Sequence, residues 1–112
     1  MDIPEEQLEE LRLLCPGARL YHEGGVPLIY LPELRLPDGC VPLQLDALLC
    51  PTPAHGYTSR LFFPQQFNSR QSRNWHYNVR LLERNWVAIS WNIPAGGLRL
   101  AQVLAEHLRA FR

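Results

Sequence analysis

The sequence predicts a single α+β domain in which two helices cover one face of an antiparallel sheet. Apolar residues follow helical 3–4 spacing at both ends of the chain, and four short strand-like runs lie between them. The links between these runs are short, which favours antiparallel pairing. At 112 residues the chain has the length of one domain. We therefore expect residues 1–112 to form a two-layer unit with an N-terminal helix, a four-stranded meander and a C-terminal helix.

The first helix is predicted to begin near Asp2 and to end at Pro16-Gly17. Asp2 is a good capping residue, and Pro4 is tolerated in a first turn. Leu8 and Leu11 provide the apolar face, which Leu14 or Cys15 would extend.

Four strands are predicted, at Arg19–His22, Val26–Leu31, Leu43–Cys50 and Ser59–Phe63. Glu23-Gly24-Gly25 supplies the positive-φ residues that a hairpin turn needs. Residues 32–42 are predicted to be a loop with a turn at Pro37-Asp38-Gly39. Residues 51–57 should stay outside the sheet ladder because their prolines donate no hydrogen bond.

Beyond the fourth strand, residues 64–73 are predicted to be an exposed polar loop, followed by an irregular region. The final helix is predicted from about Ala95 or Gly96 to Phe111. Its apolar face contains Leu100, Val103, Leu104, Leu108 and Phe111.

Charge and cysteine content exclude several classes of protein. Eleven basic residues, all arginine, balance eleven acidic ones, so bulk charge indicates neither a nucleic-acid nor a membrane partner. Cys15, Cys40 and Cys50 are odd in number, and their spacing matches no zinc pattern. We expect a reduced, cytoplasmic protein without a cofactor or metal, whose cysteines pack in the core.

The stretch from Arg73 to Asn92 is the predicted functional centre. It holds all three tryptophans, a His-x-Asn triplet at His76 and Asn78, and a lone serine, Ser90, within an apolar run.

Several motifs resemble the ubiquitin-conjugating (UBC) fold when they are taken in order. Leu49–Tyr57, followed by Arg60–Phe63, looks like that family's Pro-x-x-Tyr-Pro segment and the strand after it. His76-Tyr77-Asn78-Val79 looks like the His-Pro-Asn motif. Asn85–Ser90 resembles the segment that carries the catalytic cysteine, and Trp91–Pro94 resembles the Trp-x-Pro that precedes a helix. More narrowly, residues 84–90 and the short helical end resemble the prokaryotic UBC-like group called family E.

The resemblance implies a function in protein modification. The chain would be a carrier (E2-like) that accepts a ubiquitin-like modifier protein from an adenylating (E1-like) activating enzyme. Ser90 occupies the position of the catalytic cysteine, so the covalent intermediate would be an oxyester instead of a thioester.

The same resemblance assigns roles to three residues. Ser90 would be the nucleophile, His76 the base or orienting group, and Asn78 the oxyanion donor. Each residue also has a structural interpretation. Ser90 fits a strand residue bonded to backbone, His76 a structural hydrogen-bonding group, and Asn78 a turn residue.

Further residues near this stretch are candidates for contact with a partner. They are Tyr57, Trp86, Trp91 and Arg84. For the tryptophans, core packing is the alternative. Arg70, Arg73, Arg80 and Arg84 either dock an acidic partner or form a solvated face. His55 is predicted to be a surface or packing residue, and Cys50 a buried one.

Three functions remain open at this point. The first is the covalent carrier, and the second is a catalytically inactive UBC-fold adaptor that binds the modifier or the activating enzyme. The third is an unrelated α+β binding module.

Overall fold

A computed structural model describes residues 3–53, 56–93 and 96–112, with the side chains of His76 and Tyr77 outside that description. Along these segments the chain forms two helices, six strands and a terminal 3₁₀ turn. They are α1 (Glu5–Leu14), β1 (Arg19–Glu23), β2 (Val26–Arg35), β3 (Gln44–Cys50), β4 (Arg60–Phe62), β5 (Trp75–Leu81), β6 (Arg84–Ile89), α2 (Leu100–Leu108) and the turn Arg109–Phe111. The α+β class with antiparallel sheets is confirmed. Within the described residues, neither helix has the length and apolar character that crossing a membrane requires.

Helix α1 begins one residue after Pro4, which occupies the N-cap position without a side-chain cap. The predicted cap, Asp2, lies outside the described residues. Leu8 and Leu11 are buried as expected, and Cys15 is buried just beyond the helix, whereas Leu14 is exposed. The apolar face therefore continues through Cys15.

The predicted meander is confirmed, because β1, β2, β3 and β4 lie side by side in chain order. The β1–β2 turn contains Gly24 and Gly25, both at positive φ. However, β2 does not end at Leu31. It continues to Arg35, and its pairing with β3 shifts between Leu31 and Leu34. The predicted loop over residues 32–42 is wrong at its start, because this irregularity lets the strand pass Pro32, which has no N–H to donate.

The predicted irregular region contains a regular hairpin, which is the main correction to the sequence-based fold. Strands β5 and β6 pair over most of their length. The two residues between them, Leu82 and Glu83, have φ of 50° and 63°. Tight hairpins favour such positive φ values, but glycine or asparagine normally supplies them. This turn uses neither, so the usual sequence signal is missing.

The two faces of the meander are covered by different elements. Alternate residues such as Ile29, Leu49 and Leu61 belong to the larger core, which contains the buried residues of both helices. Residues on the other face of the meander pack against the β5–β6 hairpin in a second cluster. Its buried members are Leu28, Leu48, Cys50 and Phe62 from the meander and Trp86 and Ala88 from the hairpin. A backbone bridge from Phe63 to Val87 joins the hairpin to the end of β4.

Helix α2 begins at Leu100, four residues or more after the predicted start. Gly96 and Gly97 have φ of 82° and 73°, which a right-handed helix does not permit. Ala95 lies outside the described residues. The helix start is fixed against α1, because the Leu100 N–H donates to Gln7 Oε1 (3.1 Å) and Arg99 pairs with Glu10 (2.9 Å).

The polar loop before β5 is also anchored by an aromatic residue. Phe67 is buried, although its segment was predicted to be exposed. Its ring lies 4.8–5.0 Å from those of Phe63, Trp75 and Phe111. This aromatic group ties the loop to the C-terminal turn.

Candidate functional site

Ser90 is the first residue after β6, and it is exposed. Its backbone N–H donates to the Asn74 carbonyl across the hairpin (3.1 Å). The backbone bond agrees with the structural interpretation of this serine, and the exposure is what a nucleophile needs.

The β5–β6 register sets the positions of His76 and Asn78 relative to Ser90. His76 lies at a register shift between the pairs Trp75–Ile89 and Tyr77–Ala88, so its backbone is next to the end of β6. Its side chain lies outside the described residues. Asn78 is exposed and pairs with Val87, three residues before Ser90. Three residues of strand span about 10 Å, which is too far for a direct hydrogen bond between the two side chains.

Arg60 holds the loop that carries Ser90 from its buried side. This arginine is buried, and its Nη2 donates to the Ile89 carbonyl (3.2 Å). Its guanidinium lies 4.3 Å from the ring centre of Tyr57, a cation–π contact. Tyr57, a candidate partner-binding residue, is thus half-buried beside Arg60.

Thr58 holds the other end of the same loop. Its hydroxyl donates to the Ile93 carbonyl (2.9 Å), and its N–H donates to Asn92 Oδ1 (3.4 Å). Together, Thr58 and Arg60 fix both ends of the segment from residue 89 to residue 93. The backbone on either side of Ser90 is therefore set by the chain just before and at β4.

Trp91 connects the loop to α2. Its indole N–H donates to the Glu106 carbonyl (3.1 Å), and the Arg73 guanidinium lies 5.0 Å from its ring. The ring is half-buried and packs against the larger core. Part of it remains accessible to a partner.

A buried serine–histidine pair lies next to Arg60. Ser59 Oγ and His107 Nε2 are 2.8 Å apart, and both residues are buried between β4 and α2. Burial, with a smaller effect from the charge of Arg60, lowers the pKa of His107 to about 4. The imidazole is therefore neutral at physiological pH.

Trp86 is a core side chain, since it is 1 % exposed and its indole N–H donates to the Leu81 carbonyl (2.9 Å). Arg84 lies across it at 4.8 Å and pairs with Asp46 (3.6 Å). Burial opposes ionisation of Asp46, but hydrogen bonds from the Glu33 N–H and Tyr30, with the Arg84 charge, lower its pKa overall. Of these two candidate partner contacts, only Arg84 reaches the surface.

A cleft of about 320 Å³ borders the loop at Ile93. Its walls come from residues 51–53, Thr58, Ser59, residues 96–98 and Val103. This volume falls within the range of sites that hold small ligands. His55 lies outside the described residues.

The three cysteines are buried and unpaired, which confirms their predicted packing role. Burial raises the pKa of the Cys15 and Cys40 thiols. Cys50 lies near the Thr52 carbonyl (Sγ to O, 3.6 Å). Across the described segments, no group of three His, Cys, Asp or Glu side chains is arranged to bind a metal ion.

Comparisons with protein-family models, curated proteins and solved structures returned no match. Function must therefore be inferred from the residues of this chain.

Ser59 and His107 were not predicted from the sequence as residues of the site. The signal for His107 was present, because it follows Val103 and Leu104 on the buried face of α2 at helical spacing. No local pattern marks its partner, which lies 48 residues earlier in the chain.

Proposed function

We propose that this protein is a UBC-fold carrier in a ubiquitin-like conjugation pathway, with Ser90 as the acyl acceptor. The observation that carries the proposal is the position of Ser90. It is exposed, and it lies at the end of the β5–β6 hairpin on the loop that leads from the sheet to the last helix. Motif order in the UBC family gives its nucleophile the same place in the chain.

The surroundings of Ser90 suit an acyl carrier in a second respect. The loop is held by hydrogen bonds on three sides. Arg60 in β4 and Thr58 just before it donate to loop carbonyls, and Trp91 of the loop donates to α2. A fixed backbone keeps Cα and Cβ of Ser90 in place, so that the hydroxyl moves only by rotation about χ1 while a large acyl group is delivered. Such positioning is how proximity lowers a barrier.

The proposed reaction is an acyl transfer from the activated C-terminus of the modifier. Ser90 Oγ attacks the carbonyl carbon, and the bond from that carbon to the phosphate oxygen of the adenylate, or to a thiol sulfur of the activating enzyme, breaks. The hydroxyl proton leaves with the AMP or thiol group. The product is an oxyester on Ser90, and a serine needs a neighbouring base for this step.

A non-covalent adaptor is the second candidate function. The separation of Asn78 from Ser90 favours it, because the proposed oxyanion donor is about three strand residues away from the proposed nucleophile. An adaptor would bind the modifier or its activating enzyme through the exposed parts of Trp91 and Arg84.

The carrier predicts a covalent adduct that depends on Ser90. The protein is incubated with the modifier, its activating enzyme and ATP, and the products are separated under denaturing conditions. We expect an adduct that survives reducing agent, is lost in mild hydroxide and is absent from Ser90→Ala. Ser72→Ala, at another exposed serine, is the matched control and should form the adduct normally.

If the protein binds the modifier or the activating enzyme but forms no adduct, the adaptor function is supported and the carrier function is wrong. An adduct that persists in Ser90→Ala would exclude Ser90 as the acceptor. If neither an adduct nor binding is detected, both functions are wrong.

A further inference from the structure

Strand β1 is an exposed edge of the four-stranded sheet. Among the described strands only β2 pairs with it, and the pairing runs without a break from Arg19–Tyr30 to Glu23–Val26. Four of its five residues are exposed. Natural edge strands are usually protected by proline, a bulge or a covering segment, and β1 contains neither proline nor bulge.

The turn geometry shows which backbone groups of β1 point away from β2. The two-residue turn at Gly24-Gly25 makes Glu23 and Val26 the closing hydrogen-bonded pair. Bonded pairs alternate along an antiparallel ladder, so Tyr21 and Arg19 also bond to β2. The N–H and C=O groups of Leu20 and His22 therefore point outward.

The two ends of β1 carry opposite charges. Arg19 and Glu23 lie at its two ends, and both share a face with Tyr21, because side chains alternate along a strand. The Leu82 N–H donates to both carboxylate oxygens of Glu23 (3.3 Å each), which holds this carboxylate on that face.

We propose that β1 is a self-association site that pairs antiparallel with β1 of a second copy, with Tyr21 on the two-fold axis. In this register Leu20 faces His22 of the second copy and His22 faces Leu20. All the outward backbone groups of both strands are then satisfied by four hydrogen bonds. Arg19 lies opposite Glu23 of the second copy, and the symmetry repeats this ion pair.

Other arrangements of the two strands lose either backbone hydrogen bonds or the Arg19–Glu23 ion pairs. A parallel pair would bring the two Arg19 side chains together. A one-residue shift would place outward groups opposite inward ones. Antiparallel registers centred on Leu20 or on His22 also pair outward backbone groups with outward ones. In neither register, however, does Arg19 of one copy lie opposite Glu23 of the other. The charge pattern therefore favours a second copy over an unrelated strand.

The paired edges would form one continuous eight-stranded sheet with a small interface. Five residues a side bury less area than a typical stable complex, so we expect a weak, reversible dimer. The Ser90 loop is attached at β4, the opposite edge of the sheet. The dimer would leave that loop open, so it does not depend on the proposed carrier function.

Charge reversal tests the register by sedimentation equilibrium over a series of protein concentrations. We expect wild type to self-associate, and Arg19→Glu or Glu23→Arg alone to weaken association by about tenfold, since each reverses two ion pairs. An equimolar mixture of the two single variants should associate as wild type does, because one has two acidic strand ends and the other two basic ends. Arg35→Glu, at another exposed arginine, is the control and should associate normally.

Cysteine cross-linking tests the symmetry axis even if the dimer is weak. Residues facing each other in a non-hydrogen-bonded pair have Cα atoms about 4.5 Å apart, within disulfide range. Tyr21→Cys should therefore form a disulfide-linked dimer under mild oxidation. Val26→Cys, equally exposed but on β2, should not.

Equal cross-linking of the two cysteine variants would overturn the proposal. So would a wild type that stays monomeric at every concentration and a Tyr21→Cys variant that does not cross-link. If mixing the charge variants fails to restore association, the Tyr21-centred register is wrong.

Discussion

At the scale of single residues, the candidate site depends on buried polar groups more than on exposed ones. Arg60 is buried, and it donates to the carbonyl directly before Ser90. His107 is buried beside it and bonds to Ser59. Burying polar groups is costly unless hydrogen bonds satisfy them, so these side chains fix the structure around them. The position of the Ser90 loop therefore depends in part on buried side chains.

His107 should make stability depend on pH between about 6.5 and 4. The unfolded chain protonates this imidazole below about pH 6.5, whereas the folded protein does so only near pH 4. The unfolded state thus binds more protons within this window, and the free energy of unfolding falls as the pH is lowered through it. The loss should reach about 3 kcal/mol, since each pKa unit is worth about 1.4 kcal/mol.

Urea denaturation at several pH values measures this effect. His107→Gln keeps a partner for Ser59 but does not titrate, so its stability should change less with pH than that of wild type. Ser72→Ala changes an exposed polar residue that does not titrate in this range and should leave the wild-type dependence intact. Parallel pH profiles for wild type and His107→Gln would show that His107 is not the source.

At the scale of secondary-structure elements, the strands that could be predicted from the sequence are those joined by turns with a typical turn residue such as glycine. The β1–β2 turn has two glycines at positive φ, and the strand order of the meander that follows was predicted correctly, although β2 runs to Arg35 instead of Leu31. The β5–β6 hairpin was missed because Leu82 and Glu83 adopt positive φ without being glycine or asparagine. The start of α2 was placed too early because apolar spacing marks a face, while the helix boundary depends on the backbone at Gly96 and Gly97.

The β5–β6 turn should be stabilised by Glu83→Gly. A residue with a Cβ pays about 1–2 kcal/mol for left-handed backbone, and glycine avoids that cost. Part of the gain is offset because glycine has more freedom in the unfolded chain, so we expect a net gain of about 0.5–1 kcal/mol in thermal or urea unfolding.

A matched glycine in the adjacent strand separates turn geometry from a general effect. Asn85→Gly is also exposed but lies within β6, so it should destabilise the protein by about 0.5–1 kcal/mol. If both variants change stability in the same direction, positive φ at Glu83 is not the cause.

At the scale of the whole molecule, the sheet separates the two proposed sites. Helices cover one face, the hairpin packs on the other, and the Ser90 loop and the β1 edge lie at opposite sides of the meander. The α+β class followed from the order of local patterns. The contacts that hold the Ser90 loop could not be predicted, because they join residues 15 to 35 positions apart, such as Trp91 with Glu106 and Thr58 with Ile93.

The central claim is that Ser90 carries the modifier as an ester, and exchanging its oxygen for sulfur tests it most directly. With modifier, activating enzyme and ATP, the wild-type adduct should resist reducing agent and disappear in mild hydroxide. Ser90→Cys should form an adduct that reducing agent removes, because the bond becomes a thioester. The chain has no lysine, so no side-chain amide on it can imitate the wild-type adduct. A Ser90→Cys adduct that resists reducing agent as the wild-type adduct does, or no adduct with either protein, would contradict the account.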